Sequence, residues 1–437
     1  MKQTKYILLI SLVAACGGLL FGFDTAVISG VLPILKTHFK FDELMSGWVV
    51  SVLTAGCIVG VAFAGRLSDR YGRKNLLYLA SLLFLASAGG TALSFNIYVF
   101  QSFRFLGGLA VGVASIASPM YIAEVAPADK RGRLVSINQL AIVTGILLAF
   151  FTNYLLVGTG DNNWRWMLLV MAIPAMAFFL LLFTVPRSPR WLLMVGRNKE
   201  GRAALEKIVE AEKVAFEFEE IRKSLDKRGE VSEFRSIFSS KSKKALGIGI
   251  GLAVLQQITG INTIMYYAPV IFDTLGFSMD SALFQTLLIG CINFLFTIAA
   301  MFFVDRLGRK PLLLAGSAVM ALSMGFLAFT TSRGTGGYWV LAFILTYIAA
   351  FAISLGPVTW VLIAEIFPNQ HRGLGMSLST LFLWIAAFLI ALLFPVMLAT
   401  LGVAYTFSLF TVICVAAFLF YLFFVRETKN IRLEHIE

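Results

Sequence analysis

Long apolar runs alternate with short polar joints along nearly the whole chain. A helix needs roughly 20 apolar residues to cross the hydrocarbon of a bilayer, and runs of that kind fall at 6–31, 47–66, 75–93, 98–121, 134–157, 166–186, 244–272, 283–304, 312–330, 338–364, 374–399 and 403–425. The pattern predicts an all-α membrane protein with twelve transmembrane helices. In lipid a spanning segment must satisfy its own backbone hydrogen bonds, which a helix does residue by residue.

One polar stretch, 187–244, is much longer than the others. It is rich in Glu, Lys and Arg and contains a helix-like run from Lys199 to Arg228. It carries no nucleotide or nucleophile motif, so a solvated helical linker is expected rather than a catalytic domain. The predicted organisation is a six-helix bundle over 1–186, a cytoplasmic helical linker over 187–244, a second six-helix bundle over 245–425 and a tail over 426–437.

The two halves repeat each other. Asp69-Arg70-Tyr71-Gly72-Arg73-Lys74 follows the second run and Asp305-Arg306-Leu307-Gly308-Arg309-Lys310 the eighth, 236 residues later. Glu124 precedes Arg131-Gly132 after the fourth run as Glu365 precedes Arg372-Gly373 after the tenth, an offset of 241. Two pseudo-symmetric bundles related about the membrane normal are the plan of an alternating-access carrier with its site at the midplane.

Composition agrees: 59% of residues are hydrophobic and 14% charged, against about 45–50% and 25% in soluble domains. The net charge of +12 is explained by position rather than by nucleic acid. Of 36 lysines and arginines, Lys36, Lys40, Arg165 and Arg333 fall on one side and Arg104 within a run. All others lie on the side of the termini, which are therefore expected in the cytoplasm. Cys16, Cys57, Cys291 and Cys414 lie in apolar runs without ligand spacing, and the three histidines are scattered, so no disulfide framework, metal or cofactor is expected. Val13-Ala14-Ala15-Cys16 resembles a lipoprotein cleavage box, but hydrophobicity continues to Val31, beyond a signal peptide's apolar region. It is expected to stay as part of the first helix.

Three groups carry candidate chemistry. Asp24 in the first run and Arg104 in the fourth are ionisable residues inside the membrane, functional by default and expected to face one interior. Their balance of charge and desolvation could couple proton loading to conformation; a static buried ion pair is the alternative. Asp69, Arg73, Glu124, Arg131, Asp305, Arg309, Glu365 and Arg372 form the second group, a cytoplasmic gate of exchanging ion pairs. For the basic residues alone topology suffices as an explanation, but not for the repeated carboxylates. Third, the seventh run reads Gln256-Gln257-Ile258-Thr259-Gly260-Ile261-Asn262-Thr263. Gln257 and Asn262 fall about 140° apart on a straight helix, so convergence requires a bend or unwinding near Gly260. Uncharged carboxamides beside aromatic faces suit a neutral polyhydroxylated solute; interhelical hydrogen bonding is the alternative.

Together with Pro186-Arg187-Ser188-Pro189-Arg190-Trp191-Leu192, Gly356-Pro357-x-x-Trp360 and Glu427-Thr428-Lys429, these motifs make nearly the whole chain resemble the sugar porter family of the major facilitator superfamily. The resemblance implies that Gln139, Gln256, Gln257, Asn262, Asn293 and Trp360 contact sugar hydroxyls and that Phe21, Tyr267, Gly356 and Trp384 shape the pocket. It implies that Asp24 is the proton-coupling carboxylate and Arg104 its partner, since passive members usually hold asparagine at that position. Four residues depart from the family pattern. Ile146 stands where the xylose symporters have a second glutamine, and Leu383 replaces a polar residue before Trp384. Arg187 occupies a usual glutamate, and Arg426 a usual proline.

The expectation is a carrier, not an enzyme, in the plasma membrane (the inner membrane of a bacterium). It imports a hexose or pentose with a proton, and a monomer suffices. A passive uniporter with the same site is the alternative. A drug exporter would place acids against its ligand, and a sugar receptor would carry a long signalling tail.

Overall fold

The computed structural model describes residues 2–127, 130–226, 240–334, 337–367 and 372–429. The chain runs α1 (Lys2–Phe39), α2 (Glu43–Tyr71), α3 (Arg73–Ala92), α4 (Ile97–Val125), α5 (Arg131–Leu156), α6 (Asn163–Leu169) and α7 (Ala172–Leu181). Then come α8 (Pro189–Met194), α9 (Asn198–Ile208), α10 (Ala211–Asp226), α11 (Ser240–Ile258), α12 (Ile261–Thr274) and α13 (Met279–Leu307). It ends with α14 (Arg309–Ser332), α15 (Tyr338–Ile353), α16 (Leu355–Glu365) and α17 (Arg372–Phe424).

Among the described residues eleven helical stretches are long and apolar enough to cross a membrane. The last is two crossings in one: α17 holds Gly402 at φ 77°, where two helices meet end to end. The predicted twelve are therefore present, with changed boundaries. α1 overruns its apolar window to Phe39 because a helix does not stop where the lipid does. The sixth span tightens into a turn between α6 and α7: Pro174 has no N–H for the Val170 carbonyl, which accepts instead from Ile173 N at 3.1 Å, while Met171 keeps helical dihedrals. The linker run expected over 199–228 is two helices, α9 and α10, because Val209 turns extended after α9.

Contacts group the chain into two compact units. The first comprises Met1–Thr25, Ala55–Ala149 and Arg165–Val231. Within it α3 packs along α4, whose start is capped by Asn96 accepting from Val99 N at 2.9 Å. Small residues let α2 approach α4: Gly56 and Gly60 face Gly108 and Gly112, and a Cβ on Gly60 would lie 3.0 Å from the Gly112 Cα. Without a hydrophobic drive between helices in lipid, such close seams supply the dispersion that holds them. In the linker, Trp191, Leu192 and Ala204 form a buried cluster.

The second unit comprises Ala26–Thr54, Phe150–Trp164 and Ser232–Glu437. It thus holds the C-terminal ends of α1 and α5 and the N-terminal end of α2 together with α11–α17. Those ends are packed: Gly47 of α2 abuts the Leu392 carbonyl of α17, the Trp48 and Phe388 rings stand edge to face at 6.0 Å, and Asn153 donates to Val27 O at 3.0 Å.

Candidate functional site

The seventh and tenth spans are both interrupted, at adjoining points of the second unit. α11 stops at Ile258, and Gly260 takes φ 101°, a left-handed conformation in which a side chain would be strained, before α12 resumes. The tenth span breaks at Ser354, between α15 and α16, three residues before Pro357. Broken backbone at membrane depth survives only where its polar groups find partners. Here they do: Tyr347 donates to Thr259 O at 3.0 Å, and Gln256 Nε2 donates to Leu355 O at 2.9 Å and Gly356 O at 3.2 Å.

The break brings the two separated amides together. Asn262 Nδ2 donates to Gln257 Oε1 at 2.6 Å, and Gln257 Nε2 donates to Gln256 Oε1 at 3.2 Å. The relay runs from Asn262 through Gln257 and Gln256 into the start of α16, so each amide fixes the next and leaves remaining lone pairs and N–H groups for a solute. Tyr267 is buried and donates to Ala391 O at 2.7 Å. Asn293 and Trp384 are buried, and Trp360 is 40% exposed. Phe21 and Gln139, both half-buried, belong to the first unit. Two apolar-lined grooves of about 920 and 470 Å³ on the second unit contain none of the predicted residues.

In the first unit Asp24 and Arg104 are each 1% exposed and form the expected pair. Arg104 Nη1 donates to Asp24 Oδ1 at 2.5 Å and to the Asp24 carbonyl at 3.0 Å. A charge-assisted bond of this kind offsets part of the desolvation of both ions.

The gate residues pair within each unit. Arg73 meets Glu124 at 2.9 Å and Asp69 at 3.1 Å. Arg309 meets Glu365 at 3.1 Å. Arg131 is exposed, and the side chains of Asp305 and Arg372 lie outside the described residues.

Sequence reasoning did not assign three neighbours of these pairs. Ser188 donates to Glu124 at 2.5 Å, and Thr428 donates to Glu365 at 2.5 Å. Glu427 accepts from Arg309 N and Lys310 N at 3.0 Å each, closing the open start of α14. Burial pushes the Glu427 carboxyl up, but four backbone N–H donors, from Arg309, Lys429, Lys310 and Thr428, outweigh it and hold the carboxyl below the ordinary glutamate value of 4.5. The signal was available: Ser188 and Thr428 stand 240 residues apart, nearly the offset of Glu124 and Glu365.

Comparison with known proteins extends this geometry over the whole chain. The arabinose-proton symporter of Bacillus subtilis is 40% identical over 439 residues, covering 99% of this chain and 94% of that protein. The D-xylose-proton symporter of Escherichia coli is 40% identical over 473 residues, covering 100% and 96%. The solved inward open conformation of the xylose transporter XylE from E. coli superposes with a TM-score of 0.88 at 37% identity, covering 99% of both chains. The family model described as "Sugar (and other) transporter" matches residues 10–437, and with the interrupted seventh and tenth spans accounted for, the chain belongs to the sugar porter family of the major facilitator superfamily.

Proposed function

We propose that this chain imports a monosaccharide, a hexose or a pentose, together with a proton by alternating access across the plasma membrane, with both termini in the cytoplasm and the monomer as the working unit. Gln139, Gln256, Gln257, Asn262, Asn293 and Trp360 bind the sugar, with Phe21, Tyr267, Gly356 and Trp384 shaping its pocket. Asp24 carries the proton and Arg104 is its counter-ion. The ion pairs of Arg73 and Arg309 belong to the cytoplasmic gate, with the linker joining two six-helix bundles.

The observation that carries the reading is the amide relay from Asn262 to Gln256 around the left-handed Gly260. A neutral hydroxylated ligand matches uncharged donors and acceptors of that kind, whereas a cation would require acids. The named relatives, one a symporter of arabinose and one of D-xylose, both couple sugar to protons, and the buried Asp24–Arg104 pair supplies a group able to do so here.

The test is uptake of radiolabelled D-xylose, L-arabinose and D-glucose into proteoliposomes with and without an imposed pH gradient. Symport gives accumulation above equilibrium only with the gradient. A passive uniporter gives counterflow and no gradient-driven accumulation, and transport of none of the three sugars removes the reading.

A further inference from the structure

Asp24 uses one carboxylate oxygen on Arg104. The other, Oδ2, has no hydrogen-bond partner among the described residues, and neither has the hydroxyl of Ser87 on α3. Both are buried, and both flank one point on α4. A Cβ built on Gly107 would lie 2.5 Å from Asp24 Oδ2 and 2.5 Å from Ser87 Oγ. Glycine at 107 leaves open the space that both oxygens border.

Ser87 is unlike its neighbours in this. Hydroxyls inside apolar helices ordinarily bond back to a carbonyl three or four residues earlier. Thr91 does so to Ser87 O at 2.6 Å, Ser81 to Tyr78 O at 2.8 Å and Ser102 to Tyr98 O at 2.9 Å. Ser87 leaves its hydroxyl free. A hydroxyl that can either donate or accept complements a carboxyl in both its states: it donates to the ionised oxygen and accepts from the protonated one.

We propose that Ser87 is a positioning residue of the proton site, its hydroxyl turning into the space at Gly107 to donate to Asp24 Oδ2 when the carboxyl is ionised and to accept from it when the proton loads. The inference rests on Asp24 as the proton carrier. The other charged or titratable groups facing Asp24 are Arg104 on α4 and, within electrostatic range, the Cys57 thiol on α2. Arg104 has only donors and cannot accept from a protonated carboxyl.

The experiment compares wild type, Ser87→Ala, Ser87→Cys, Ser87→Thr and Asp24→Asn in proteoliposomes. It measures gradient-driven accumulation and counterflow of D-xylose and L-arabinose across a pH series. Losing a donor to an ionised carboxylate lets the proton stay bound to higher pH. The alkaline limb of accumulation in Ser87→Ala therefore moves up by about one pH unit, in Ser87→Cys it moves the same way by less, and Ser87→Thr keeps the wild-type profile. Asp24→Asn loses accumulation and keeps counterflow. Superimposable profiles for wild type, Ser87→Ala and Ser87→Cys, with Asp24→Asn uncoupled, overturn the role of Ser87 alone. Accumulation that persists in Asp24→Asn removes both the inference and the Asp24 assignment beneath it.

Discussion

Thr428 donates its hydroxyl to Glu365 at 2.5 Å, while the adjoining Glu427 receives the backbone N–H groups of Arg309 and Lys310. One short segment after α17 thus fixes the carboxylate of an ion pair and closes the start of α14. The first unit repeats half of this. Ser188 holds Glu124, but the residue before Ser188 is Arg187, whose guanidinium lies 6.0 Å from the Trp191 ring. Trp191 in turn donates to Asp69 O at 3.0 Å and sits under Gly72, as Glu427 sits under Gly308.

Removing the Glu427 carboxylate, as Glu427→Gln, is expected to lower thermal stability in detergent by about 1–2 kcal/mol, the scale of a lost helix cap. The folded-state value of Glu427 is depressed, so its contribution is fully present above the ordinary 4.5 and fades as pH falls through the lowered value. Melting curves of wild type and variant should therefore differ at neutral pH and converge in acid. A constant difference at all pH values would show that packing, not charge, is at stake.

Arg187→Glu tests the other half of the repeat. A carboxylate there is expected to close the start of α3 as Glu427 closes that of α14, raising stability by about 1 kcal/mol after the loss of roughly 0.5 kcal/mol of cation–π contact to Trp191. Arg187→Gln, which loses the stacking without gaining a carboxylate, should melt slightly below wild type. If the glutamate variant melts below the glutamine variant, Arg187 is preferred there for its own contacts.

Arg104→Met leaves the Asp24 carboxylate buried without its cation, a change expected to cost about 3–5 kcal/mol. Adding Asp24→Asn should recover most of that loss. The double-variant cycle, measured by thermal melting, reads the coupling directly; additive losses would mean the two residues do not depend on each other.

Gly260→Ala should weaken both stability and sugar affinity. The backbone at φ 101° strains any Cβ, by about 1–2 kcal/mol, and the new methyl would lie 3.2 Å from Phe410. Straightening the segment instead would part Asn262 from Gln257, so affinity for D-xylose by calorimetry should fall whichever way the strain resolves. Gln257→Ala, which removes the middle of the relay, is expected to weaken binding roughly 5- to 100-fold.

What could be read from the residues follows from the range of the forces involved. The break at Gly260 was legible because helical geometry separates Gln257 from Asn262, and one glycine between them offers the only local escape. The Asp24–Arg104 pair was legible because two charges in oil must meet. Ser87 was not: a lone serine in an apolar run ordinarily satisfies itself. Its hydroxyl borders Gly107, twenty residues away on another helix, which presents no side chain at that level. The irregularity ahead of Pro174 was not legible from proline alone, because Pro33, Pro119, Pro269 and Pro395 all lie inside continuous helices.

The packing of Gly47 on Leu392 leads to a last outcome. A Cβ at position 47 would collide with the Leu392 carbonyl, which is backbone and cannot rotate away. Gly47→Ala should therefore force α2 and α17 apart at this level, opening the edge-to-face contact of Trp48 and Phe388. The cost is of the order of 1–3 kcal/mol, the scale of an overpacked contact. A cysteine in place of Phe388, in a chain with Cys16 and Cys291 replaced by serine, reports the change. A membrane-impermeant maleimide added on the side of the α1–α2 loop should label it slowly while Gly47 is kept and severalfold faster once Gly47→Ala is added. Equal labelling would mean that the glycine is there for the local run of α2 rather than to let the two helices close.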